Sequence, residues 1–197
     1  MSASSSMNKQ RTVIFGGSFD PIHIGHVNLA AEVIRAGLAS EVWFMVSPQN
    51  PHKKECALSD ENLRLQMVNL AIDGNAHFKA CDFEFGLPRP SYTYNTLAEL
   101  GKHFPDREFL LLVGADNWEK FDKWYKGDEI LKRHRLIVYP RGNGKVPALP
   151  EGVTWLQAEL YDISSTEIRK AAANGEDFST YVAPAVASFI KEHDLYK

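Results

Sequence analysis

The sequence predicts an α/β fold in which one open parallel sheet is covered by helices on both faces. Short apolar runs alternate with helical patterns along the chain, which is the order that builds such a sheet with right-handed crossovers. The run at 42–46 is apolar on both faces, as parallel strands tend to be. Polar or glycine-containing segments follow the strands, where ligands bind in sheets of this kind.

The first half of the chain predicts two strands and two helices. Residues 13–15 form an apolar strand that ends at two glycines, and a helix follows from His26 until Gly37 stops it. After the strand at 42–46, Ser59 opens a second helix, and the acidic residues beside it favour its positive end. This helix stops before Gly74.

The second half continues the same alternation. Residues 78–85 alternate like a strand, and Ser91 or Thr93 caps the helix that comes next. The remaining strands are predicted at 109–113, 136–139 and 154–156, and the remaining helices at 165–173 and 184–193. The stretch 140–152 is rich in proline and glycine and is predicted to be a surface loop.

Composition sets the broad class. A chain of 197 residues with 44% hydrophobic and 24% charged residues fits one globular domain, predicted at 11–197 after a flexible tail at 1–10. The net charge of -3 argues against a nucleic-acid partner, and no apolar run approaches the roughly 20 residues that span a bilayer. Cys56 and Cys81 form neither a metal-type pair nor a disulfide framework, so we expect a reducing, cytoplasmic location.

A glycine–histidine segment at 16–26 carries the strongest chemical signal. Gly16 and Gly17 are expected to let the backbone approach a phosphate and to adopt conformations closed to other residues. His26 falls near a helix start, where backbone N–H groups and the helix dipole favour anions. His23 and His26 are then donors to a triphosphate, or else they merely satisfy local backbone groups. A zinc site lacks a third ligand nearby, and a Walker loop lacks its Gly-Lys-Ser/Thr ending.

A second segment near the other end of the chain has matching chemistry. Ser164 and Glu167 have the spacing of a helix capping box, and Arg169 lies within two turns of the same helix start. Hydroxyls, backbone N–H groups and a guanidinium could therefore converge on a phosphate. Alone, the segment is better explained by an ordinary helix cap.

Together these segments resemble the two signatures of the nucleotidylyltransferase superfamily: 16–26 resembles the HIGH-type signature and 163–169 the second one. Three intermediate segments, 47–53, 91–97 and 114–125, resemble those of the bacterial nicotinate mononucleotide adenylyltransferases. The likeness extends over residues 12–196 and implies a Rossmann-like fold.

The resemblance also implies an activity and a set of site residues. It implies adenylyl transfer from ATP to nicotinate mononucleotide, which gives nicotinate adenine dinucleotide and pyrophosphate in NAD biosynthesis. His23, His26 and Arg169 would be catalytic. ATP and its phosphates would be bound by Gly16, Gly17, Ser18, Phe19, Gly25, Lys53, Gly114, Asp116, Arg141, Ile163, Ser164, Ser165 and Thr166. The mononucleotide would be bound by Gly16, Ser18, Asn50, Lys53, Tyr92, Thr93, Trp124 and Tyr125.

Several of these residues have a simpler explanation. Trp118, Phe121 and Tyr125 have helical spacing and could be core residues, whereas Trp124 falls off that stripe and is the better candidate to stack on a pyridine ring. Lys53 and Arg141 could be solvated charges. Asp116 could bind a ribose hydroxyl or cap the next turn.

The expected mechanism needs no enzyme nucleophile, and Mg²⁺ would be held mainly by the ATP phosphates, which fits the lack of a carboxylate cluster in the sequence. Nicotinamide mononucleotide and phosphopantetheine are alternative substrates, and a non-catalytic nucleotide sensor is the alternative class. A class I aminoacyl-tRNA synthetase would need a longer chain and a lysine-rich second signature. The sequence does not decide the oligomeric state, and a homo-oligomer is possible.

Overall fold

Six parallel strands form a single sheet in the order β3-β2-β1-β4-β5-β6 in the computed structural model, which describes residues 9–48, 58–140, 149–158 and 163–197. The strands are β1 (Gln10–Gly17), β2 (Glu41–Val46), β3 (Phe78–Cys81), β4 (Arg107–Gly114), β5 (Leu136–Tyr139) and β6 (Val153–Trp155). The chain adds β2 and β3 on one side of β1 and then returns to add β4 to β6 on the other. The predicted open parallel sheet is confirmed.

Helices cover both faces of this sheet. The helices are α1 (Ile24–Arg35), α2 (Glu61–Ile72), α3 (Thr93–His103), α4 (Ala115–Trp118), α5 (Gly127–Arg133), α6 (Ser165–Asn174) and α7 (Pro184–Glu192). One buried cluster packs α1, α2, α6 and α7 against the sheet, and a second packs α3 and α5 against the opposite face. We call these the α1 face and the α3 face.

Alternate residues of each central strand supply the two clusters. Val13 and Phe15 of β1 point to the α1 face, whereas Ile14 points to the α3 face. Successive side chains of a strand lie on opposite sides, so a strand that is buried on both faces must be apolar at every position. This is why the central strands could be predicted from the sequence.

Three predicted boundaries or caps are wrong. Asp60, and not Ser59, caps α2, since its carboxylate accepts hydrogen bonds from the backbone N–H groups of Asn62 (2.9 Å) and Leu63 (3.4 Å). The predicted strand at 78–85 ends at Cys81, and a short 3₁₀ helix, Phe83–Gly86, takes its place. The cap of α3 was predicted at Ser91 or Thr93, but its N-cap residue is Tyr92.

Gln10, the last residue of the tail predicted at 1–10, is the first residue of β1 and pairs with Arg107. Residues 1–8 lie outside the described part of the chain, and the domain boundaries stay a prediction. No helix within the described ranges is both long enough and apolar enough to cross a membrane.

The position of β1 between β2 and β4 indicates where a ligand would bind. The chain reverses its direction of growth between β1 and β4, and the carboxyl ends of adjacent parallel strands meet at one edge. A crevice at such a reversal is the usual ligand site of an open α/β sheet. Gly17 and Gly114 end the two strands that flank it.

We predict that Leu100→Ala, on α3, lowers the free energy of unfolding by about 2–5 kcal/mol, since Leu100 is fully buried and its truncation leaves a cavity. Urea denaturation measures the change. Lys102→Ala on the same helix is the control, because its side chain is exposed and its surface ion pair with Glu99 contributes little to stability. Equal losses in the two variants would show that α3 does not bury Leu100 as described.

Candidate active site

Of the two glycines at the end of β1, Gly17 is required by lack of space, and neither is required by backbone conformation. Both glycines lie within the strand, and neither has a positive φ, contrary to the expectation that they adopt conformations closed to other residues. A methyl group on Gly17 would lie 2.9 Å from the Phe19 ring, whereas one on Gly16 would meet nothing within 4 Å. Gly17 thus makes room for Phe19, and Gly16 keeps the strand end open.

The left-handed backbone in this segment belongs to Phe19, with φ of +48°. A non-glycine residue in that region costs roughly 1–3 kcal/mol and is held only by its surroundings. The Phe19 ring is 2% exposed and packs edge-on against Phe15 at 5.5 Å. Burial of the ring therefore holds the turn that leads into the histidines.

His23 and His26 stack on each other at the start of α1. His23 is the N-cap residue, and the two ring centroids are 3.7 Å apart. The Nδ1 atom of His26 accepts a hydrogen bond from the backbone N–H of His23 (3.2 Å). The neutral His26 ring then carries its proton on Nε2, which makes that nitrogen a donor. The ring also packs against Phe19 at 5.2 Å, which fixes its orientation.

The start of α1 adds main-chain donors beside these rings. The first intrahelical bonds are those from the N–H groups of His26 (3.0 Å) and Val27 (3.4 Å) to the carbonyl of His23. The N–H groups that precede them, on Ile24 and Gly25, have no acceptor within their own helix, as at every helix start. Such a start favours an anion.

The second motif folds onto the first. Ser164 caps α6 through the predicted box: its Oγ accepts from the backbone N–H of Glu167 (3.2 Å), and its own N–H donates to that carboxylate (3.0 Å). Ser165 Oγ donates to the carbonyl of Pro21 (2.9 Å), and Arg169 Nη1 donates to the carbonyl of Asp20 (2.7 Å). The two segments, 144 to 149 residues apart in sequence, thus form one structure.

Arg64 is an organising residue that the sequence reasoning missed. Its side chain, 1% exposed, donates to the backbone carbonyls of Ser18 (2.7 Å), Ser47 (2.8 Å), Ser59 (2.9 Å) and Pro48 (3.4 Å). It therefore joins the ends of β1 and β2 to the start of α2. Burial lowers the pKa of the guanidinium, while the nearby negative charge of Asp20 acts in the opposite direction. An arginine within a helix pattern gives no sign that it is buried.

The end of β4 is crowded around Gly114, the last residue of the strand. Gly114 is paired with Tyr139 of β5. A methyl group on Gly114 would lie 2.6 Å from Asp116 Oδ1 and 3.2 Å from the Tyr139 ring. The exposed Asp116 carboxylate therefore folds back over the end of β4.

The start of α3 differs from the prediction. Tyr92 is the N-cap residue and makes no side-chain cap, so neither Ser91 nor Thr93 has that role. Ser91 Oγ (3.1 Å) and Thr96 Oγ1 (2.7 Å) instead donate to the buried carboxylate of Glu84. A buried carboxylate without donors would be strongly unfavourable, which explains why the hydroxyls turn inward. The alternating pattern around Glu84 had suggested a strand and hid this role.

The aromatic residues after β4 do not form the predicted helical stripe. The helix α4 ends at Trp118 and a 3₁₀ turn, Phe121–Lys123, follows it. Trp124 is partly buried and lies against Phe121, with ring centroids 5.0 Å apart. Tyr125, predicted to be on the core stripe, is 46% exposed and contacts the Tyr92 ring at 4.9 Å. The core alternative is therefore wrong for Tyr125, and Trp124 is half in the core.

The Phe121 and Trp124 rings belong to the α3 face, whereas Phe15 and Phe19, which pack against His26, belong to the α1 face. Asn50, Lys53 and Arg141 lie outside the described residues. Within the described ranges, no group of three or more His, Cys, Asp and Glu side chains could hold a metal ion.

A model of the cytidylyltransferase-like family matches residues 14–171, from β1 into α6, and so includes both motifs. The chain belongs to this family. The cytidylyltransferase-like match leaves out the chain after residue 171, including α7 and Tyr196.

Two relatives narrow the comparison. The chain is 47% identical over 182 residues to a protein of Bacteroides fragilis named probable nicotinate-nucleotide adenylyltransferase, covering 91% of this chain and 90% of that one. It is 44% identical to the protein of the same name in Bacteroides thetaiotaomicron, with 94% and 93% covered. The resemblance drawn from the motifs is therefore confirmed.

Solved structures agree on the fold. The nicotinic acid mononucleotide adenylyltransferase of Plasmodium falciparum, solved with NaAD, superposes with a TM-score of 0.80 at 21% identity and covers 95% of this chain and 97% of that chain. The Rossmann-like fold implied by the motifs is confirmed.

We predict that alanine destabilises the protein at Gly17 but not at Gly16. Gly17→Ala forces the Phe19 ring to move and lowers the free energy of unfolding by about 1–3 kcal/mol, the usual cost of overpacking. Gly16→Ala has space for its methyl group and changes that free energy by about 0.5 kcal/mol or less. Thermal or urea unfolding of both variants tests this, and a loss at Gly16 as large as at Gly17 would contradict the crowding described.

Proposed function

We propose that this protein transfers the adenylyl group of ATP to nicotinate mononucleotide, giving nicotinate adenine dinucleotide and pyrophosphate, a step in making NAD. The observation that carries the proposal is the union of the two motifs: Arg169 and Ser165 donate to consecutive carbonyls of the segment that leads into His23. The names of the relatives support the choice of substrates.

The chemistry requires alignment and charge neutralisation more than a reactive enzyme group. A phosphate oxygen of the mononucleotide attacks the α-phosphorus of ATP, the bond from that phosphorus to the β-phosphate oxygen breaks, and pyrophosphate leaves with the bonding electrons. A phosphate monoester is largely doubly ionised near neutral pH, because its second pKa is about 6. The protein therefore has to hold the reactants in line and stabilise the negative charge that develops on the triphosphate.

The α1 side of the crevice is the proposed triphosphate site. His26 would donate from Nε2 to the α-phosphate, because its Nδ1 is engaged by the His23 N–H. His23 and Arg169 would assist along the chain of phosphates, and the guanidinium has donors beyond the one given to Asp20. Gly16, Ser18, Gly114 and Asp116 would contact ATP from the strand ends, and Gly25 from the start of α1. The proposal extends to the remaining predicted contacts, which are Gly17, Phe19, Lys53, Arg141, Ile163, Ser164, Ser165 and Thr166.

The α3 side is the proposed mononucleotide site. The start of α3 at Thr93 presents backbone N–H groups to a carboxylate, and Trp124 presents a ring to a pyridine. The exposed faces of Tyr92 and Tyr125 add to this aromatic surface. Gly16, Ser18, Asn50 and Lys53 complete the proposed contacts to nicotinate mononucleotide.

Mg²⁺ is proposed to enter with ATP. The described part of the chain offers no cluster of three or more metal-ligating side chains, and Mg²⁺ at nucleotide sites is held largely by phosphates and water. Bound there, the ion would neutralise part of the triphosphate charge. A cytoplasmic location, and homo-oligomerisation, stay predictions.

Pyrophosphate release from ATP and nicotinate mononucleotide tests the proposed activity directly. We predict that His26→Ala lowers kcat by about a hundred- to a thousand-fold, as removal of one donor to a developing charge does elsewhere. His103→Ala is the control, because His103 is an exposed histidine at the end of α3. Parallel assays with nicotinamide mononucleotide and phosphopantetheine decide the acceptor. No release by the wild type with any acceptor, despite ATP binding, would indicate a sensor.

Trp124→Ala tests the acceptor side. We predict that it raises the KM for nicotinate mononucleotide about tenfold and leaves the KM for ATP unchanged, because a ring–ring contact is worth about 0.5–1.5 kcal/mol beyond its buried area. Trp118→Ala is the matched control, since Trp118 packs on the same Phe121 ring (5.4 Å) as Trp124 does (5.0 Å). An equal rise in both variants would assign Trp124 to core packing alone.

A further inference from the structure

The side chain of Tyr196, in the segment after α7, reaches into the base of the candidate site. Its hydroxyl donates to Asp20 Oδ1 at 2.7 Å, across 176 residues of sequence, and lies 4.0 Å from the sulfur of Met67. Its backbone has φ of +70°, a conformation that a bulky residue rarely adopts. Backbone strain of this kind persists only where the surrounding structure fixes the residue, and the hydrogen bond to Asp20 helps to fix Tyr196.

The Asp20 carboxylate has a partner on each oxygen. Oδ1 accepts from Tyr196, and Oδ2 accepts from the backbone N–H of Ser59 (3.2 Å) just before α2. The side chain is 1% exposed, and the buried guanidinium of Arg64 lies near enough to interact with its charge. Burial, followed by the charge of Asp20 and the hydrogen bond to it, raises the pKa of the Tyr196 hydroxyl far above its ordinary value, so this hydroxyl stays a donor.

The main chain of Asp20 is also hydrogen-bonded, to a residue of α6. Its carbonyl accepts from Arg169 Nη1 (2.7 Å), and the next carbonyl, that of Pro21, accepts from Ser165 (2.9 Å). Asp20 follows the strained Phe19 and lies three residues before His23. A rotation of Asp20 would therefore move the histidine pair and Arg169 together.

We propose that Tyr196 is a positioning residue for the adenylyl-transfer site, and that it acts through Asp20 to fix His23, His26 and Arg169 in one geometry. The inference rests on the proposed function for its kinetic consequence. The hydroxyl touches no substrate in this scheme. The hydroxyl restrains the side chain of Asp20, while Arg169 and Ser165 of α6 restrain the backbone carbonyls of Asp20 and Pro21.

The expected kinetic effect is on kcat. Tyr196→Phe keeps the ring and removes one donor to a buried carboxylate, so that the turn has fewer restraints. Small misplacements far from the reacting atoms are costly when alignment supplies much of the rate. We predict that kcat falls about tenfold while the KM values for both substrates change less than twofold.

Two control variants separate positioning from loss of stability. Tyr181→Phe removes the hydroxyl of an exposed tyrosine on the 3₁₀ turn before α7. Thr12→Val removes a buried hydroxyl that accepts from Arg107 (2.8 Å) near the amino end of β1, away from the crevice. Kinetics are measured where circular dichroism shows every variant fully folded. Wild-type kcat in Tyr196→Phe, or an equal fall in Thr12→Val, overturns the proposal.

A second measurement does not depend on the reaction. Imidazole ¹⁵N resonances report the tautomer of His26, which is set by the hydrogen bond from the His23 N–H to Nδ1. We expect Tyr196→Phe to shift the His26 signals and Thr12→Val to leave them in place. Unshifted signals in Tyr196→Phe overturn the inference even if the wild type proves inactive, whereas wild-type inactivity with shifted signals overturns the proposed function alone.

Discussion

The hydrogen bond from Arg169 to the carbonyl of Asp20 joins residues 149 positions apart, and the geometry of the candidate site depends on it. Asp20 belongs to the segment that follows β1, while Arg169 lies in α6. The first motif contributes the histidine pair and the start of α1, and the second contributes the guanidinium of Arg169. Once the bond forms, the histidine pair, the start of α1 and the guanidinium are held in one rigid arrangement.

Two charged side chains are buried beside this hydrogen bond, and nearby hydrogen-bond partners compensate both of them. Arg64 and Asp20 are each 1% exposed, and Arg64 is bonded to four main-chain carbonyls while Asp20 has donors on both oxygens. Burying charges this deeply is unfavourable unless hydrogen bonds replace the lost water. The same bonds link the ends of β1 and β2 to α2. A network that compensates buried charge thereby also becomes the scaffold of the crevice.

The sheet divides the proposed chemistry between its two faces. The histidines are held by residues of the α1 face, and the aromatic group around Phe121 and Trp124 belongs to the α3 face. Both groups follow the carboxyl ends of strands, the edge at which open α/β sheets usually bind ligands where the strand order reverses, here between β1 and β4. Two substrates that bind on opposite sides of this edge would meet over Gly16, where the strand end is open.

The sequence by itself determined the features whose signals are local. Strands buried on both faces had to be apolar throughout, and the capping box at Ser164 and Glu167 works within four residues. Tertiary structure decided the features that depend on partners far along the chain. Glu84 drew Ser91 and Thr96 away from capping α3, and the Phe19 ring, packed against the strand, set the need for Gly17. Asp20 gained Tyr196 and Arg169 only through folding, because hydrogen bonds across 149 to 176 residues leave no periodic trace in a sequence.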